Sequence, residues 1–376
     1  MGKLFYLGHY SEPGKRSVFL TAQTMMDYVI GAINEADKKL TVITAASLPD
    51  GRKLSSEHSV INEKTDIIYL ACAKRTAKKN IFLKLIQKTK QERLLYKQLK
   101  KLISDGDTLL VYHSLAFSKV LKKLRKKKKF TLVIQVCEIY ADASINNKIN
   151  REKELLQIAL ADKYIFSSSI LEKELNKENK PYTICMGTYR SEPNLVKPLN
   201  DGKIHIVYSG TFNMNKGGVF NALEAAKYLD NNYYLHILGK GNKEIMALFD
   251  RKAREAVELS DCTISYEGYH SGDKYKARLQ RCKIGLSTQS PNAKFNNTSF
   301  PSKILSYMSN GLRVVSADIL PVKSSTLGEY ITYYNGNDPR AIADAIRNID
   351  LNSDIDLRAV VDTHNSNFVS NLKKLL

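Results

Sequence analysis

Along the chain, short apolar runs rich in Val, Ile, Leu and Tyr alternate with longer stretches whose apolar residues recur at three- and four-residue spacing. The first pattern predicts buried strands and the second predicts amphipathic helices. In the first half, strands are expected at Lys3–Tyr10, Leu40–Ala45, Thr65–Cys72, Thr108–Tyr112, Thr131–Val136, Tyr164–Phe166 and Thr183–Met186. Helices are expected from a Ser17 cap to Ala36, from Lys78 to Ser104, and over Leu155–Leu160. The second half repeats the alternation, with strands at His205–Tyr208, Tyr234–Leu238, Thr263–Tyr266, Ile284–Ser287 and Leu312–Val315. Helices there are expected at Val219–Leu229, after Pro301, at Pro339–Ile349 and over 357–376. Strand–helix alternation with no run of hairpins predicts doubly wound parallel sheets.

At 376 residues the chain exceeds the size at which one core keeps growing, so two domains are expected. The segment Ser191–Lys203, with two prolines and a glycine among polar residues, reads as the linker. The expected division is therefore 1–196 and 197–356, with the tail helix 357–376 packed back on the first domain. The fold class is α/β, two Rossmann-like doubly wound domains.

One stretch combines several signals. Phe300-Pro301-Ser302-Lys303-Ile304-Leu305 opens a helix whose apolar face carries Ile304, Leu305 and Met308, and Asn310-Gly311 stops it before a short strand. Asn296-Asn297-Thr298-Ser299 are residues suited to an N-cap, with Pro301 just inside the helix. Such a start presents free N–H groups and the positive end of the dipole to an anion, to which Ser302 and Lys303 add a hydroxyl and a charge. The same start also serves an ordinary α/β crossover.

A second loop, Gly210-Thr211-Phe212-Asn213-Met214-Asn215-Lys216-Gly217-Gly218, again joins a strand to a helix. Its small residues admit a ligand close to the backbone, and Lys216 supplies a point charge for phosphate. The Gly-x-Gly-x-x-Gly dinucleotide fingerprint is missing after the first strand, where only Gly8 and Gly14 occur.

The net charge of +20 changes the picture by requiring an anionic partner. It is concentrated in Lys78–Lys101 and in Lys122-Lys123-Leu124-Arg125-Lys126-Lys127-Lys128-Lys129. No recognised nucleic-acid module accompanies it, so an anionic membrane surface is preferred over nucleic acid. The five cysteines are scattered without a C-x-x-C pair, which suggests reduced thiols in a cytoplasmic protein. Met1-Gly2-Lys3 leads directly into a strand-like run, so no leader is expected, and no run is long and apolar enough to span a membrane.

Taken together, Tyr208-Ser209-Gly210-Thr211, Lys216-Gly217, Leu235-His236-Ile237-Leu238-Gly239-Lys240-Gly241, Glu267-Gly268-Tyr269, Phe300–Leu305 and Gly311–Ser316 make the chain resemble retaining GT-B glycosyltransferases of bacterial surface-polysaccharide biosynthesis, the glycosyl transferases group 1 type. Weaker echoes are Tyr112-His113-Ser114, Glu138-Ile139-Tyr140 and Ala161-Asp162-Lys163-Tyr164. The resemblance implies two domains facing a central cleft, with the nucleotide sugar on the second and the acceptor on the first. It implies a donor site of Gly210, Thr211, Lys216, Gly217, Ser299, Phe300, Pro301, Ser302, Lys303 and Ser306, and catalytic roles for His113 and Glu138. It further implies a polyprenyl-linked or oligosaccharide acceptor at the cytoplasmic membrane face, no metal and no other cofactor.

Two departures stand out. Where the family carries an arginine five positions before the loop lysine, this chain has Thr211. Where it carries two acidic residues eight apart, this chain has Thr298 and Ser306. These leave open a catalytically silent partner subunit of a glycosyltransferase complex.

Overall fold

Strands buried on both faces read as nearly continuous apolar runs, because helices cover a parallel sheet on either side. The computed structural model describes residues 2–12, 15, 20–46, 55–72, 81–143, 149–214, 217–291 and 294–376. The chain divides into a first unit of Met1–Met186 with Ser366–Leu376, and a second of Gly187–Asn365.

The first unit runs β1 (Leu4–Gly8), α1 (Leu20–Glu35), β2 (Leu40–Thr44), β3 (Glu57–Asn62), β4 (Thr65–Tyr69), α2 (Ile81–Leu102), β5 (Thr108–Tyr112), α3 (Ser118–Arg125), β6 (Thr131–Val136), α4 (Tyr140–Ala143), α5 (Arg151–Ile158), β7 (Lys163–Phe166), α6 (Ser169–Leu175) and β8 (Tyr182–Ile184). The strand order is β3-β4-β2-β1-β5-β6-β7-β8. All pairings are parallel except β3 with β4, an antiparallel hairpin at the sheet edge. That hairpin corrects the expectation of uninterrupted strand–helix alternation. Glu57-His58-Ser59-Val60-Ile61-Asn62 has no apolar run because an edge strand facing water needs none. Its turn is held by the Asn62 side chain, which accepts the Lys64 N–H at 2.9 Å.

Leu7, Leu109, Val111, Leu132 and Ile134 form the centre of the first core, covered by Leu95 and Leu99 of α2 and Val120, Leu121 and Leu124 of α3. Asp162 is fixed structurally. It pairs with Arg125 through two hydrogen bonds of 2.5 and 2.9 Å and accepts the Leu132 N–H at 2.8 Å.

The second unit runs β9 (Ile204–Thr211), α7 (Gly218–Ala226), β10 (Tyr233–Lys240), α8 (Lys243–Glu258), β11 (Thr263–Gly268), α9 (Gly272–Gln280), β12 (Ile284–Ser287), α10 (Ser302–Ser309), β13 (Arg313–Ala317), α11 (Leu320–Lys323), β14 (Ile331–Tyr334), α12 (Pro339–Arg347) and α13 (Leu357–Leu375). Its strands lie in the order β11-β10-β9-β12-β13-β14, all parallel. The order reverses between β9 and β12, and this switch point opens a crevice at the carboxyl ends of the strands.

Residues 187–196, expected at the end of the first domain, belong to the second unit. There the Glu192 N–H donates to Ser309 O at 2.8 Å, and the Gln280 side chain binds the Leu195 N–H at 2.8 Å and Pro193 O at 2.8 Å. The last helix begins in the second unit and ends in the first. Its Phe368 ring stacks on Tyr28 of α1 at 5.7 Å, and Lys163 Nζ donates to Leu375 O at 2.5 Å.

Candidate functional site

The carboxyl end of β9 and the start of α10 come together at the switch point of the second sheet. Gly210 and Gly239 are register partners with φ of 154° and 142°. A Cβ on Gly239 would lie 1.9 Å from Gly210 O, so a side chain there would push β9 and β10 apart. Gly217 caps α7 with φ 68°, in the left-handed region, and Gly218 lies under the hydroxyl of Tyr208. Thr211 ends β9 exposed to solvent. Lys216 and Asn215 lie outside the described residues.

At α10 the capping differs from the sequence expectation. Pro301 itself is the N-cap residue, and the helix begins at Ser302, with no side chain capping it. Lys294–Asn297 instead forms a 3₁₀ turn. Proline reaches this position because its fixed φ, here −71°, suits a cap and an N-cap needs no donor N–H. Phe300 is buried and Ser302 is exposed. The Ser299 hydroxyl is buried with no hydrogen-bond partner. Lys303 turns back over β9, its ammonium 4.1 Å from the centre of the Tyr208 ring.

Thr298 and Ser306 are the departures from the family pattern. Thr298 is buried. Ser306 Oγ is 3.2 Å from the hydroxyl of Tyr275 on α9, which is 2.9 Å from Ser209 Oγ. The Ser209 N–H donates to Tyr307 Oη at 2.9 Å, and that hydroxyl donates to Leu286 O at 3.1 Å. Burial raises the Tyr307 pKa well above its ordinary value, so its hydroxyl stays protonated. Tyr208, Tyr275 and Tyr307 are not among the residues expected from the sequence. Tyr307 reads there as one more apolar helix position, and nothing marks Tyr275 apart from other tyrosines.

In the first unit His113 follows β5 and Glu138 follows β6. Glu138 is half-buried. His113 is 1% exposed, its ring is stacked on Tyr140 at 4.8 Å, and its ring nitrogens have no well-formed hydrogen bond, only a contact with the Glu138 backbone that works against burial. Burial pushes its pKa down to about 4, so the imidazole is neutral at pH 7. Its Nε2 lies 3.7 Å from the buried carboxylate of Glu154, a residue that no sequence motif singles out. Glu154 accepts the N–H groups of Tyr140 and Ala141 at 2.8 and 2.9 Å, and burial raises its pKa against those two bonds.

Among the described residues no group of His, Cys, Asp and Glu could hold a metal ion. None of their helices is long and apolar enough to cross a membrane.

Residues 203–350 match the family of glycosyl transferases group 1. No curated protein sequence matches the chain. Among solved structures, an α,α-trehalose 6-phosphate synthase from Burkholderia multivorans superposes with a TM-score of 0.71 at 10% identity, over 100% of this chain and 95% of that one. The E. coli trehalose-6-phosphate protein bound with UDP-2-fluoro glucose gives 0.69 at 11% identity over 100% of both chains. The catalytic domain of starch synthase IV from Arabidopsis thaliana, bound to ADP and acarbose, gives 0.63 at 7% identity over 100% and 95%. These likenesses show that the chain has the GT-B-like fold, two parallel-sheet α/β domains.

Proposed function

We propose that this chain is a glycosyltransferase that moves a sugar from a nucleotide-diphosphate donor to a lipid-linked or glycan acceptor. The observation that carries the reading is the meeting of the carboxyl end of β9 with the start of α10 at a sheet switch point, inside the segment that matches glycosyl transferases group 1. A departing diphosphate there would meet the N–H groups of two helix starts, the Lys303 ammonium and the charge of Lys216. Stabilising that leaving group is the main electrostatic task when the sugar passes through an oxocarbenium-like state. Two lysines and two helix N-termini would supply the positive charge such a step needs without a metal ion.

The nucleotide-bound neighbours support the donor class: one holds UDP-2-fluoro glucose and another ADP. They do not identify the acceptor, because one fold serves a trehalose-phosphate synthase and a starch synthase alike. Retention of configuration is proposed from the family resemblance. His113, neutral at pH 7, is suited to a hydrogen bond with a sugar hydroxyl rather than to proton abstraction.

We place the acceptor at the cytoplasmic face of a membrane, in capsule, exopolysaccharide or cell-wall glycan synthesis. Helix α2 supports this, since Leu85 and Ile86 are 59% and 37% exposed among its lysines. An amphipathic basic surface of that kind binds anionic lipid. The second reading, a silent partner subunit, draws on Ser306, which sits in a neutral hydroxyl network where the family has a carboxylate.

The test is thermal stability of the whole protein against a panel of nucleoside diphosphates and nucleotide sugars, with Lys216→Ala alongside. A rise with one nucleotide that Lys216→Ala removes supports the donor site and identifies its base. A folded protein that responds to none of them supports the silent subunit.

A further inference from the structure

The second sheet ends at β11, which is bonded to β10 on one side and, among the described residues, to no strand on the other. No residue of β11 is fully buried. Helix α8 lies over the β10–β11 pair through Phe249, whose ring meets that of Tyr266 at 4.9 Å. Beyond that contact the surface is apolar and uncovered, with Val257, Leu259 and Tyr266 54%, 62% and 43% exposed around an open groove of about 260 Å³. An edge strand is ordinarily blunted by charge, by proline or by a covering segment. The single charged residue of β11, Glu267, is already bonded to His236 and Arg278 on the other face. On the rim of the groove stand Arg254 and Glu258, one helical turn apart and both exposed. Among the described residues neither side chain has an ion pair or hydrogen bond. Arginine before glutamate is the less favourable order for pairing within a helix, which leaves both charges for another chain.

We propose that this edge is the interface of a two-fold dimer, in which β11 of a second copy adds antiparallel to β11 and Arg254 of each copy meets Glu258 of the other. The occupant follows from the charge. On a chain of net charge +20 the groove lining carries one cation and one anion, so it suits its own copy rather than an anionic ligand. A two-fold axis normal to the sheet, half a strand spacing beyond β11, joins the two six-stranded sheets into one. A helix over the β10–β11 pair then lies about 10 Å from its mate, the spacing at which helices pack. The two helices run antiparallel, which sets the 254 and 258 positions against each other twice, with Val257 and Tyr266 closing the groove between them. The His270 ring marks one limit of the pairing, since its Nε2 donates to Glu267 O at 2.8 Å and confines strand addition to the residues before it.

The experiment is sedimentation velocity over a concentration series of the full chain, unaltered and with Arg254→Glu, Glu258→Arg or both changes. The unaltered chain associates to a dimer. Each single change sets like charges against each other at both contacts and weakens the dimer at least about ten-fold, the scale of two rim pairs reversed. The double change restores the dimer. An equimolar mixture of the two single variants associates as a heterodimer, because every contact between positions 254 and 258 is again one of opposite charge. Both side chains are exposed, so all the variants melt with the unaltered chain. A chain that stays monomeric at every concentration overturns the proposal. So does a dimer that the single changes leave intact, or one that neither the double change nor the mixture recovers. None of these residues belongs to the donor site, so that reading stands or falls separately.

Discussion

A buried imidazole makes stability depend on pH, and His113 gives that dependence a sign and a size. In the unfolded chain its pKa returns to the ordinary 6.5, whereas in the folded chain burial holds it near 4. Between those values the unfolded state binds a proton that the folded state refuses, so stability falls as pH drops from about 6.5 to about 4 and then levels off. The full difference is about 3 kcal/mol, at 1.36 kcal/mol for each tenfold change in proton affinity. Glu154 works the other way. Its pKa is raised by burial, so it contributes stability in acid that is lost as pH rises through its folded value. The perturbation that isolates the histidine is His113→Phe, which keeps the stacking on Tyr140 and removes the two buried ring nitrogens. At pH 7 the variant should match the parent or exceed it by about 1 kcal/mol, because a buried, poorly bonded polar group is gone. At pH 4.5 its advantage should have grown by about 2 to 3 kcal/mol. Hydrogen exchange of peptides from β5 and β6 reads the opening free energy of the first unit directly. Parallel pH curves for the two proteins, or a His113 titration midpoint near the ordinary value, would refute the reasoning.

Three further outcomes are expected. Glu267 on β11 bonds His236 of β10 and Arg278 of α9, and His236 passes a 2.8 Å bond to His205, which reaches Asp201 at 2.9 Å. Glu267→Gln should destabilise the second unit by about 2 kcal/mol, less than a fully buried pair because solvent screens Arg278. The Glu267 pKa is lowered chiefly by its bond to His236, so this difference is present above the ordinary carboxylate range and disappears as pH falls through the lowered folded value; urea unfolding at pH 7 and pH 3.5 checks both halves. Gly239→Ala should cost at least about 2 kcal/mol, from left-handed strain and the clash with Gly210 O, and should weaken nucleotide-induced stabilisation, both measured by thermal denaturation. Changing Lys122, Lys123, Lys126 and Lys127 together to Gln should weaken binding to phosphatidylglycerol vesicles on the order of a thousand-fold, at about 1 kcal/mol for each lysine, while leaving nucleotide stabilisation intact, as co-sedimentation and melting would show.

How far the chain could be read without coordinates depended on where each residue's reason lay. Parallel strands covered on both faces declare themselves as apolar runs, so Leu109–Val111 or Val314-Val315 needed no neighbour to be recognised. The stop at Asn310-Gly311 was legible for the same local reason, since Gly311 has φ 83°. The edge strand Glu57–Asn62 was not, because water faces it and no apolar signal is required. Glycines 210 and 217 announced a close approach in the sequence, but what approaches them is set by residues far along the chain. Lys303 was expected as a phosphate contact from its place behind Pro301. That it lies on the Tyr208 ring depends on the pairing of β9 with β12 and cannot be read from either segment alone.

The same dependence bears on Ser306, the residue that most separates the two functional readings. Taken alone, a serine in place of a carboxylate removes a charged acceptor and argues for a site that has lost its ligand. In the folded unit Ser306 is joined by Tyr275, a residue from a helix with no motif of its own, and the pair lies beside Ser209 at the end of β9. The Tyr275 hydroxyl lies within hydrogen-bond reach of both Ser306 and Ser209, and each of these hydroxyls can accept or donate, so they can serve a neutral hydroxyl-bearing ligand where a carboxylate could only accept. Tyr275→Phe therefore discriminates between the readings. If the cluster holds the sugar of the nucleotide, the variant binds the nucleoside about five-fold more weakly, the scale of one hydrogen bond, with unchanged melting in the absence of ligand. If the network is only internal packing, nucleoside binding does not move and the unliganded protein melts lower instead.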